Sequence, residues 1–444
     1  MLKTFHIGGV HPNDNKITAD APIEVFPILD KVYISMAQHL GAPATPVVAK
    51  GDKVKVGDVI GEPAGFISGY VHASVSGTVT AVEPMKDLAG KLVMHVVIDV
   101  EGDEWRPEID RSSDIVRDIK LSKEEILDKI KLSGIVGLGG ATFPTHVKLS
   151  PPPGKKAEFL ILNGAECEPY VTADDRIMRE QSEQIFIGGK IMLKALGIER
   201  GFVGIEENKK AAIAQMKETG KKYPELEVII LKKKYPQGGE KQLIEAITGR
   251  RVPSLGLPID VGVVVQNVGT ALAVYEAIQK NKPLVESVVT VTGQCISQQR
   301  NLSLRVGTSF SQILDAIGGI PKDAAKFISG GPMMGKAVSN IDASVLKGTS
   351  AFLMLTEEQT KRKEEVNCVR CAKCIEACPM GLEPWLLNKL SRAKRYDDLE
   401  KEKIYDCIEC GCCLYTCPSN IPLLDIIRIS KAEVTRIMRS RPKK

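Results

Sequence analysis

The chain has 444 residues, of which 43% are apolar and 26% charged, and its formal net charge is +5. This length exceeds one hydrophobic core, so several globular modules are expected. No apolar run approaches the roughly 20 residues of a membrane-spanning helix, and the first residues lack the apolar segment of a signal peptide. These features argue against a membrane-spanning or secreted protein and predict a cytoplasmic one, and nothing in the basic residues indicates nucleic-acid binding.

The N-terminal hundred residues are predicted to form an arm and a β-rich module. Residues 1–30 are polar and proline-dotted, and are predicted to be an extended arm without visible chemistry. In residues 31–104, short β-rich pieces alternate with glycine turns, which predicts a small β-sandwich or barrel. The phrases GDKVKVGDV and ASVSGTV resemble the barrel-sandwich hybrid domains that carry biotin or lipoate on a lysine. Because no lysine lies between Lys55 and Lys86, a docking or structural module is predicted.

Residues 115–282 alternate predicted strands and helices. This order is typical of a parallel sheet covered on both faces, with ligands at the carboxyl ends of its strands. The glycine-rich stretch GIVGLGGATFPTHVKL occupies residues 134–149. Clustered glycines let backbone N–H groups approach a phosphate, and Lys148 adds a positive charge. Similar loops occur in turns without ligands, so this stretch alone leaves both interpretations open.

The remaining chain predicts two further modules. Residues 283–348 are β-rich with one short helix, which predicts a small α+β module. Residues 357–444 are mainly helical, with an amphipathic helix at 383–395. The last stretch, residues 428–444, has seven basic residues and one acid, which suits anionic lipid, an acidic protein or water alone.

The C-terminal module contains the run C-x2-C-x2-C-x3-C-P twice, which is the bacterial ferredoxin pattern. In such pairs the fourth cysteine of each run ligates the cluster of the other run. The predicted ligands of one [4Fe–4S] cluster are Cys368, Cys371, Cys374 and Cys417, and those of the second are Cys407, Cys410, Cys413 and Cys378.

Two other uses of these cysteines are weaker. Structural zinc pairs two C-x2-C knuckles around each ion, and disulfides need an oxidising compartment. Cys412 would break the two-residue step of the second run and is predicted to be a non-ligand. Cys167 and Cys295 lack partners at ligand spacing, which predicts buried, inert thiols.

Four segments of the α/β region resemble the NADH-binding flavoprotein subunit of respiratory complex I. The loop at 134–149 is similar to that family's flavin loop, G-R-G-G-A-G-F-P-T-G-x-K, with Leu138 replacing the arginine. NGAECEPYVTADDR (163–176) resembles N-A-D-E-S-E-P-G followed by K-D-R, with Ala165 in place of the first aspartate. YPQGGEKQL (235–243) and VQNVGT (265–270) resemble Y-x-x-G-E-E and V-N-N-V-E-T.

With the arm phrase GGVHPNDNK, the segment QHLGAPATP and the ferredoxin runs, essentially the whole chain resembles the C subunit of Rnf-type ion-translocating electron transport complexes. The resemblance implies a multidomain α/β protein with a barrel-sandwich hybrid module, a Rossmann-like flavoprotein core, a β-grasp-like (SLBB-type) module and an α-helical ferredoxin domain. It also implies noncovalent FMN and NAD(H) as substrate. The implied FMN contacts are Gly137, Gly139, Gly140, Lys148, Asn163, Tyr235, Asn267 and Thr270, and the implied NADH contacts are Phe143, Glu168 and Glu240.

A flavin between NAD(H) and two clusters converts two-electron into one-electron transfer. The resemblance therefore implies a peripheral subunit, on the cytoplasmic face of a membrane complex, that couples ferredoxin:NAD oxidoreduction to ion translocation. Its implied partners are the other subunits, NADH and, indirectly, ferredoxin. One alternative is an electron-transfer scaffold whose core has lost its ligands, which the replacements at Leu138, Ala165 and Gly239 slightly favour. A soluble flavin subunit of a hydrogenase or formate dehydrogenase would share the core but not the N-terminal barrel.

Overall fold

A computed structural model describes residues 2–441 of the chain. The last three residues of the predicted basic stretch, 442–444, therefore lie outside the described residues. Four modules follow one another along the chain, and the elements of each are given below in chain order. None of the helices within residues 2–441 combines the length and the apolar character needed to cross a membrane.

The first module is a sandwich of two small antiparallel sheets. One sheet has the order β2-β8-β7-β4 and the other β3-β5-β6. Val32 and Ile34 from the first sheet and Ile60 and Val71 from the second are buried in one core, which is why the short strands form a stable unit. The strands of the arm and of this module are β1 (Ile23–Val25), β2 (Lys31–Ser35), β3 (Thr45–Pro46), β4 (Lys53–Val54), β5 (Val59–Glu62), β6 (Val71–His72), β7 (Gly77–Lys86) and β8 (Leu92–Val100).

The second module is a four-stranded parallel sheet with helices on both faces. Its strand order is β11-β10-β9-β12, so β12 lies on the opposite side of β9 from β10 and β11. This reversal makes the carboxyl ends of β9 and β12 the switch point at which α/β sheets bind ligands. The elements are α1 (Lys123–Leu132), α2 (Thr145–Lys148), β9 (Phe159–Gly164), α3 (Ala173–Glu180), α4 (Ser182–Leu196), β10 (Gly201–Glu206), α5 (Lys210–Gly220), β11 (Leu226–Leu231), α6 (Glu240–Thr248), β12 (Val263–Asn267) and α7 (Val268–Lys280).

Two helices that cover this sheet, α4 and α7, touch through their backbones. A Cβ atom built at Gly188 of α4 would lie 1.8 Å from the carbonyl oxygen of Ala271 in α7. Only glycine permits this approach, and it fixes the N-terminus of α7 beside the end of β9. The sequence predicts one helix from Asp174 to Leu196, but the chain leaves helical geometry at Gln181, where φ is −132°, and forms α3 and α4 instead.

The third module is a six-stranded mixed sheet in the order β1-β14-β13-β17-β15-β16. Its chain-order elements are β13 (Glu286–Thr292), β14 (Arg300–Arg305), α8 (Phe310–Ala316), β15 (Ala324–Ser329), β16 (Lys336–Ala337) and β17 (Ala351–Thr356). Two of the six strands lie outside the predicted range 283–348. Strand β17 is central and pairs with both β13 and β15, and β1 comes from the arm and pairs with β14. The arm is therefore part of the sheet rather than a free extension.

A buried lysine joins this module to the first two. The Lys347 side chain is almost fully buried, and its Nζ donates hydrogen bonds to the carbonyl oxygens of Tyr70, at 2.8 Å, and Gly134, at 2.7 Å. Burial lowers the pKa of Lys347 to about 7. Because Gly134 opens the glycine-rich stretch, the barrel and the mixed sheet together fix where that stretch begins.

The fourth module is helical and contains both cysteine runs. Its helices are α9 (Glu357–Thr360), α10 (Lys373–Glu376), α11 (Pro384–Arg392), α12 (Tyr396–Lys401), α13 (Cys412–Thr416) and α14 (Leu423–Ser440). Helix α11, which falls within the predicted helix 383–395, has proline in its first turn, where no backbone donor is lost. Leu387 and Leu390 of α11 pack with Ile427 and Val434 of α14, and this core lies beside the cluster cysteines.

We expect Gly188→Ala to destabilise the second module. Alanine has the better helix propensity, by about 1 kcal/mol, but its Cβ would overlap the α7 backbone, and overpacking of this kind costs about 1–3 kcal/mol. A lower thermal unfolding midpoint in calorimetry would show it. Gly65→Ala is the matched control, since a Cβ at Gly65 has its nearest neighbour at an ordinary 3.8 Å. An unchanged midpoint for Gly188→Ala would contradict the close helix contact.

Candidate functional site

The predicted flavin segments meet at the switch point of the parallel sheet. Asn163 lies at the end of β9 and Asn267 at the end of β12, and Asn267 Nδ2 lies 3.5 Å from the Asn163 carbonyl oxygen. Asn163 Nδ2 donates to the carbonyl oxygen of Gly238 at 2.9 Å, so the segment 235–243 joins the same edge. Asn267 also caps α7 by accepting the N–H of Gly269 at 2.7 Å. Three segments that are far apart in sequence therefore form one site.

The glycine-rich loop closes over this edge. The backbone N–H of Leu138 donates to the Thr270 hydroxyl at 2.8 Å, which anchors the loop on α7. Gly139 has φ of +72°, and a Cβ there would lie 2.8 Å from Asn267 Nδ2, so this position requires glycine. A Cβ at Gly140 would meet no atom within 4 Å. Gly137 donates its N–H to the Phe143 carbonyl oxygen at 2.8 Å and holds the loop's shape.

The residues at this edge of the sheet are compatible with a bound flavin. Gly140 is exposed, and a Cβ there would meet no protein atom within 4 Å, so its backbone is open to a ligand. A phosphate or ring that must approach backbone N–H groups needs such a surface. Within the described chain, the polar side chains of Asn163, Asn267 and Lys148 lie at the same edge. The residues present therefore fit a bound FMN, although each individual contact stays a prediction.

Lys148 and Glu240 form an ion pair at the mouth of the site. Lys148 Nζ lies 2.6 Å from Glu240 Oε1 and donates to the Val265 carbonyl oxygen at 2.8 Å. Glu240 is the first residue of α6, where the helix dipole stabilises a carboxylate. Both side chains remain about one-third exposed, at 30% and 38%. They are placed to contact a ligand that enters from solvent, and half-buried Phe143 lies in the adjoining loop.

Glu168 and Tyr235 have a structural role that the sequence did not predict. The Glu168 carboxylate accepts the backbone N–H groups of Met333, at 3.0 Å, and Met334, at 2.8 Å, which belong to the mixed-sheet module. The hydroxyl of buried Tyr235 donates to the carbonyl oxygen of Cys410 at 2.8 Å. Both residues thus join the flavoprotein core to neighbouring modules, and their predicted contacts with NADH and FMN stay predictions.

Cysteines of the two runs lie close to one another. Burial raises the pKa of Cys413, and the neighbouring charges that raise it further are those of Cys407, Cys410 and Cys378. Burial likewise raises the pKa of Cys374, where the neighbouring thiols are Cys417 and Cys368. Cys378 therefore lies near Cys413, and Cys417 lies near Cys374. Shared ligation would place them so, and the crossed ligand sets stay a prediction.

The two cysteine sets differ in exposure and in distance from the flavoprotein core. Cys378 and Cys410 are buried, and this set adjoins the core through Tyr235 and through Gln242, whose Nε2 lies 3.3 Å from the Pro379 carbonyl oxygen. Cys368 and Cys371 of the other set are exposed. We call the set of Cys378, Cys407, Cys410 and Cys413 the proximal set, and the set of Cys368, Cys371, Cys374 and Cys417 the distal set.

The chemistry of the proximal set fits an iron–sulfur cluster. Burial raises the pKa of Cys407 to about 11, so a bound positive charge would favour its thiolate form. The iron of a cluster would supply that charge.

Three cysteines, Cys412, Cys167 and Cys295, belong to neither predicted ligand set. Cys412, predicted to be a non-ligand, is fully buried and forms a side-chain hydrogen bond with Cys410 that lowers the pKa of Cys410. Hydrogen bonds to ligand sulfurs tune cluster potentials. Cys167 and Cys295 are half-buried rather than buried as predicted. The Cys167 sulfur accepts the N–H of Gly238 at 3.3 Å, and burial raises its pKa, which keeps this thiol protonated.

Sequence reasoning missed a group of buried charges behind the site. Lys16 of the arm donates from Nζ to three carbonyl oxygens, those of Glu166 at 2.9 Å, Glu168 at 2.8 Å and Val171 at 2.5 Å. Lys209 and Glu206 lie beside it and are also buried. Glu166 was matched by a motif, but the arm gave no sign of its contacts because they lie about 150 residues away in sequence.

Comparison with known proteins decides the family. Four family models match in the order of the modules: an RnfC barrel-sandwich hybrid domain at residues 3–103, a Nuo51 FMN-binding domain at 130–276, an SLBB domain at 288–337 and a 4Fe-4S dicluster domain at 360–418. The chain is 47% identical over 406 residues to the C subunit of the proton-translocating ferredoxin:NAD(+) oxidoreductase complex of Clostridium ljungdahlii, a match that covers 90% of this chain and 87% of the relative.

The chain belongs to the RnfC family of ion-translocating oxidoreductase subunits. It is also 46% identical to the C subunit of the Na(+)-translocating ferredoxin:NAD(+) oxidoreductase complex of Acetobacterium woodii, with 96% of each chain covered. The predicted family, the fold class and the FMN and [4Fe–4S] cofactors are confirmed by these matches. A solved NAD+-reducing [NiFe]-hydrogenase in the air-oxidized state shares the fold, with a TM-score of 0.51, 17% identity and coverage of 73% of this chain and 68% of that one.

We expect Gly140→Val in this RnfC-family chain to abolish FMN binding without changing the stability of the flavin-free protein. The valine side chain enters space that the protein itself leaves open, so only a ligand is displaced. Flavin released by acid should fall from stoichiometric to background, while iron content stays unchanged. Gly65→Val is the control at a glycine far from the loop in sequence, and stoichiometric flavin in Gly140→Val would show that the site is misplaced.

Proposed function

We propose that this chain is the NAD(H)-binding subunit of an ion-translocating ferredoxin:NAD(+) oxidoreductase complex, on the cytoplasmic face of its membrane, and that it passes electrons between NAD(H), FMN and two [4Fe–4S] clusters. The observation that carries this proposal is the contact of Tyr235 with Cys410. That hydrogen bond joins the segment around the flavin site directly to a ligand of the proximal set. A bound flavin would exchange hydride with the nicotinamide and single electrons with the clusters.

The chain's own residues would bind and orient the cofactors. Gly139 and Gly140 present backbone to the flavin, and Asn163 and Asn267 offer amides at the ends of β9 and β12. Lys148 supplies positive charge beside the loop and stays fixed by the Val265 carbonyl oxygen. No acid–base pair is needed, because hydride transfer depends on orientation of the two rings.

The two cysteine sets differ in exposure, and this difference indicates which set lies at each end of the electron route. The proximal set adjoins the core, so it exchanges electrons with the flavin site. The distal set, with Cys368 and Cys371 exposed, lies where another protein of the complex is able to approach. Both relatives are named as one component of a larger complex, which supports such partners, and ferredoxin would be reached through them.

The test is anaerobic purification followed by counts of flavin and iron per chain and by addition of NADH. We expect one FMN, about eight irons, and loss of the flavin absorbance with NADH. Two positions favour the scaffold alternative. Ala165 is fully buried in apolar surroundings, and Leu138 packs near Gly269, whereas the resembling family has charged residues at both positions. Full iron content without flavin would select the scaffold.

We expect Cys378→Ser to damage the proximal cluster although Cys378 belongs to the first run. Its sulfur lies with those of Cys407, Cys410 and Cys413, so the serine removes a ligand from that set. Electron paramagnetic resonance of the dithionite-reduced protein measures this, with Cys371→Ser marking the distal signal and Cys295→Ser as the non-ligand control. Loss of only the distal signal in Cys378→Ser would refute crossed ligation.

We expect Glu240→Ala to weaken the use of NADH while leaving the clusters intact. Losing a hydrogen bond to a bound ligand costs about 1–3 kcal/mol, which corresponds to about a five- to hundredfold higher NADH requirement. Stopped-flow bleaching of the flavin band with NADH varied measures this, and dithionite reduction of the clusters should not change. Glu227→Ala, on an exposed position of β11, is the control. Wild-type kinetics in Glu240→Ala would remove this residue from the site.

A further inference from the structure

A short loop of the mixed-sheet module reaches the junction between the flavoprotein core and the proximal cysteine set. The loop comprises residues 330–335, with the sequence GGPMMG, and connects β15 to β16. It contains no predicted cluster ligand and no predicted flavin or NADH contact. Its position at the junction therefore points to a role that the electron route described above does not include.

The carboxyl group of Glu168 holds this loop against the core. Its Oε2 accepts the backbone N–H of Met333 at 3.0 Å, and its Oε1 accepts that of Met334 at 2.8 Å. The hydroxyl of Tyr235, which donates to Cys410, lies 3.4 Å from Glu168 Oε1. Both oxygens of one carboxyl group are thus used to place the loop beside the residues that adjoin the proximal set.

Glycine at two positions allows the loop to come this close. A Cβ at Gly331 would lie 2.2 Å from Glu168 Oε2. The N–H of Gly335 donates to the carbonyl oxygen of Gly331 at 2.9 Å, which closes the loop into a tight turn. A Cβ at Gly335 would lie 2.3 Å from that same oxygen. A side chain at either glycine would therefore move the loop away from Glu168.

Met333 lies against the backbone of the second cysteine run. It is half-buried and packs in one apolar cluster with Cys410 and Cys412. A Cβ at Gly411, between these cysteines, would lie 3.2 Å from the carbonyl oxygen of Met333 and 3.8 Å from its Cε. Only 7% of Cys410 is exposed, and Cys412 is fully buried. The neighbouring Met334, in contrast, is 44% exposed.

Covering one cluster and not the other has a consequence for their reduction potentials. Cys368 and Cys371 of the distal set are exposed, whereas Cys378 and Cys410 of the proximal set are buried. Reduction adds an electron to a cluster that already carries the negative charge of four thiolates. Apolar surroundings stabilise the added charge less than water does, so exclusion of water lowers the potential of a cluster.

We propose that the loop 330–335 is a cover that keeps water from the proximal cluster and thereby lowers its reduction potential. Met333 is the positioning residue that covers the backbone around Gly411, and Glu168 holds the loop in place. This inference rests on the proposed function, because the potential of the proximal cluster sets the driving force of the electron step between that cluster and the flavin.

The experiment is a redox titration of the full holoprotein followed by electron paramagnetic resonance, with dithionite and mediator dyes and without NADH. It compares Met333→Ala with Met333→Leu, which keeps an apolar side chain of similar size. Met334→Ala is the matched control, since its side chain is exposed and its backbone N–H still reaches Glu168. The proximal signal is identified as the one that remains in Cys371→Ser.

We expect Met333→Ala to raise the potential of the proximal cluster alone. The ratio of reduced to oxidised cluster at a fixed potential should increase at least about threefold, which is about 28 mV for a one-electron couple. Met333→Leu and Met334→Ala should stay below that limit, and the distal signal should titrate as in wild type. A second readout is exposure to air, in which the proximal signal of Met333→Ala should be lost at least about threefold faster, because solvent access increases.

Gly331→Ala is the second variant, for the case that Met333→Ala loses iron. Its Cβ displaces the loop from Glu168 while Met333 itself is unchanged, so the potential of the proximal cluster should rise in the same way. A rise below threefold, a fall, or an equal shift of both clusters would overturn the cover. So would a shift in Met334→Ala as large as that in Met333→Ala.

The outcomes separate this inference from the proposed function, since the titration needs neither NADH nor flavin. A chain that purifies without flavin overturns the proposed function, and the potentials of its two clusters remain measurable. A flavin-loaded protein that NADH reduces, but whose proximal potential is the same in wild type and Met333→Ala, overturns the cover alone.

Discussion

The junction between the flavoprotein core and the proximal cysteine set is the constraint on which the rest of this structure depends. Tyr235 donates to Cys410, and the same tyrosine pairs through its backbone with Val10 of the arm. The preceding arm residue, Gly9, donates its N–H to the carbonyl oxygen of Ala377 at 3.0 Å, beside Cys378. The arm thus connects the two modules, and an electron route needs this fixed spacing because transfer between cofactors falls off with separation.

Glycine at the start of the arm makes this contact possible. A Cβ at Gly8 would lie 2.4 Å from the backbone carbonyl carbon of Cys378, and Gly8 has φ of +66°. An amino acid with a side chain would meet both the unfavourable φ and this close contact, so the position requires glycine. Both ends of the segment GGVHPNDNK therefore make structural contacts. Its glycines contact the backbone at Ala377 and Cys378, and its final residue, Lys16, lies beside the buried Glu166.

The sequence predicts what depends on local spacing and leaves out what depends on distant contacts. The cysteine runs could be assigned because their spacing lies within short stretches of sequence. The alternation of strands and helices in residues 115–282 could be predicted because it depends on local patterns. The arm could not, since Lys16 binds carbonyls about 150 residues away and β1 joins a sheet at β14. Strand β17 was missed because a short apolar run after a loop does not reveal its partners. Glu206 belongs to no motif, so its burial and the lack of a hydrogen-bond partner for its Oε1 within residues 2–441 are visible only in the structure.

Two lysines, Lys16 and Lys209, and two glutamates, Glu166 and Glu206, are buried behind the glycine-rich loop. Removing these groups from water costs more free energy than a well-packed apolar core would, so stability alone does not explain the network. Its position supplies an explanation. The arm runs between the two regions: Val10 and Tyr235 face the cysteine side, and Asp14 and Lys16 face the carboxylate side. The arm therefore connects the cysteine set that adjoins the core to the segment that follows β9, and Lys16 holds it there through the carbonyl oxygens of Glu166, Glu168 and Val171. Because the carbonyl oxygens that Lys16 binds lie between β9 and α3, a substitution of Lys16 would loosen the arm without removing a cluster ligand.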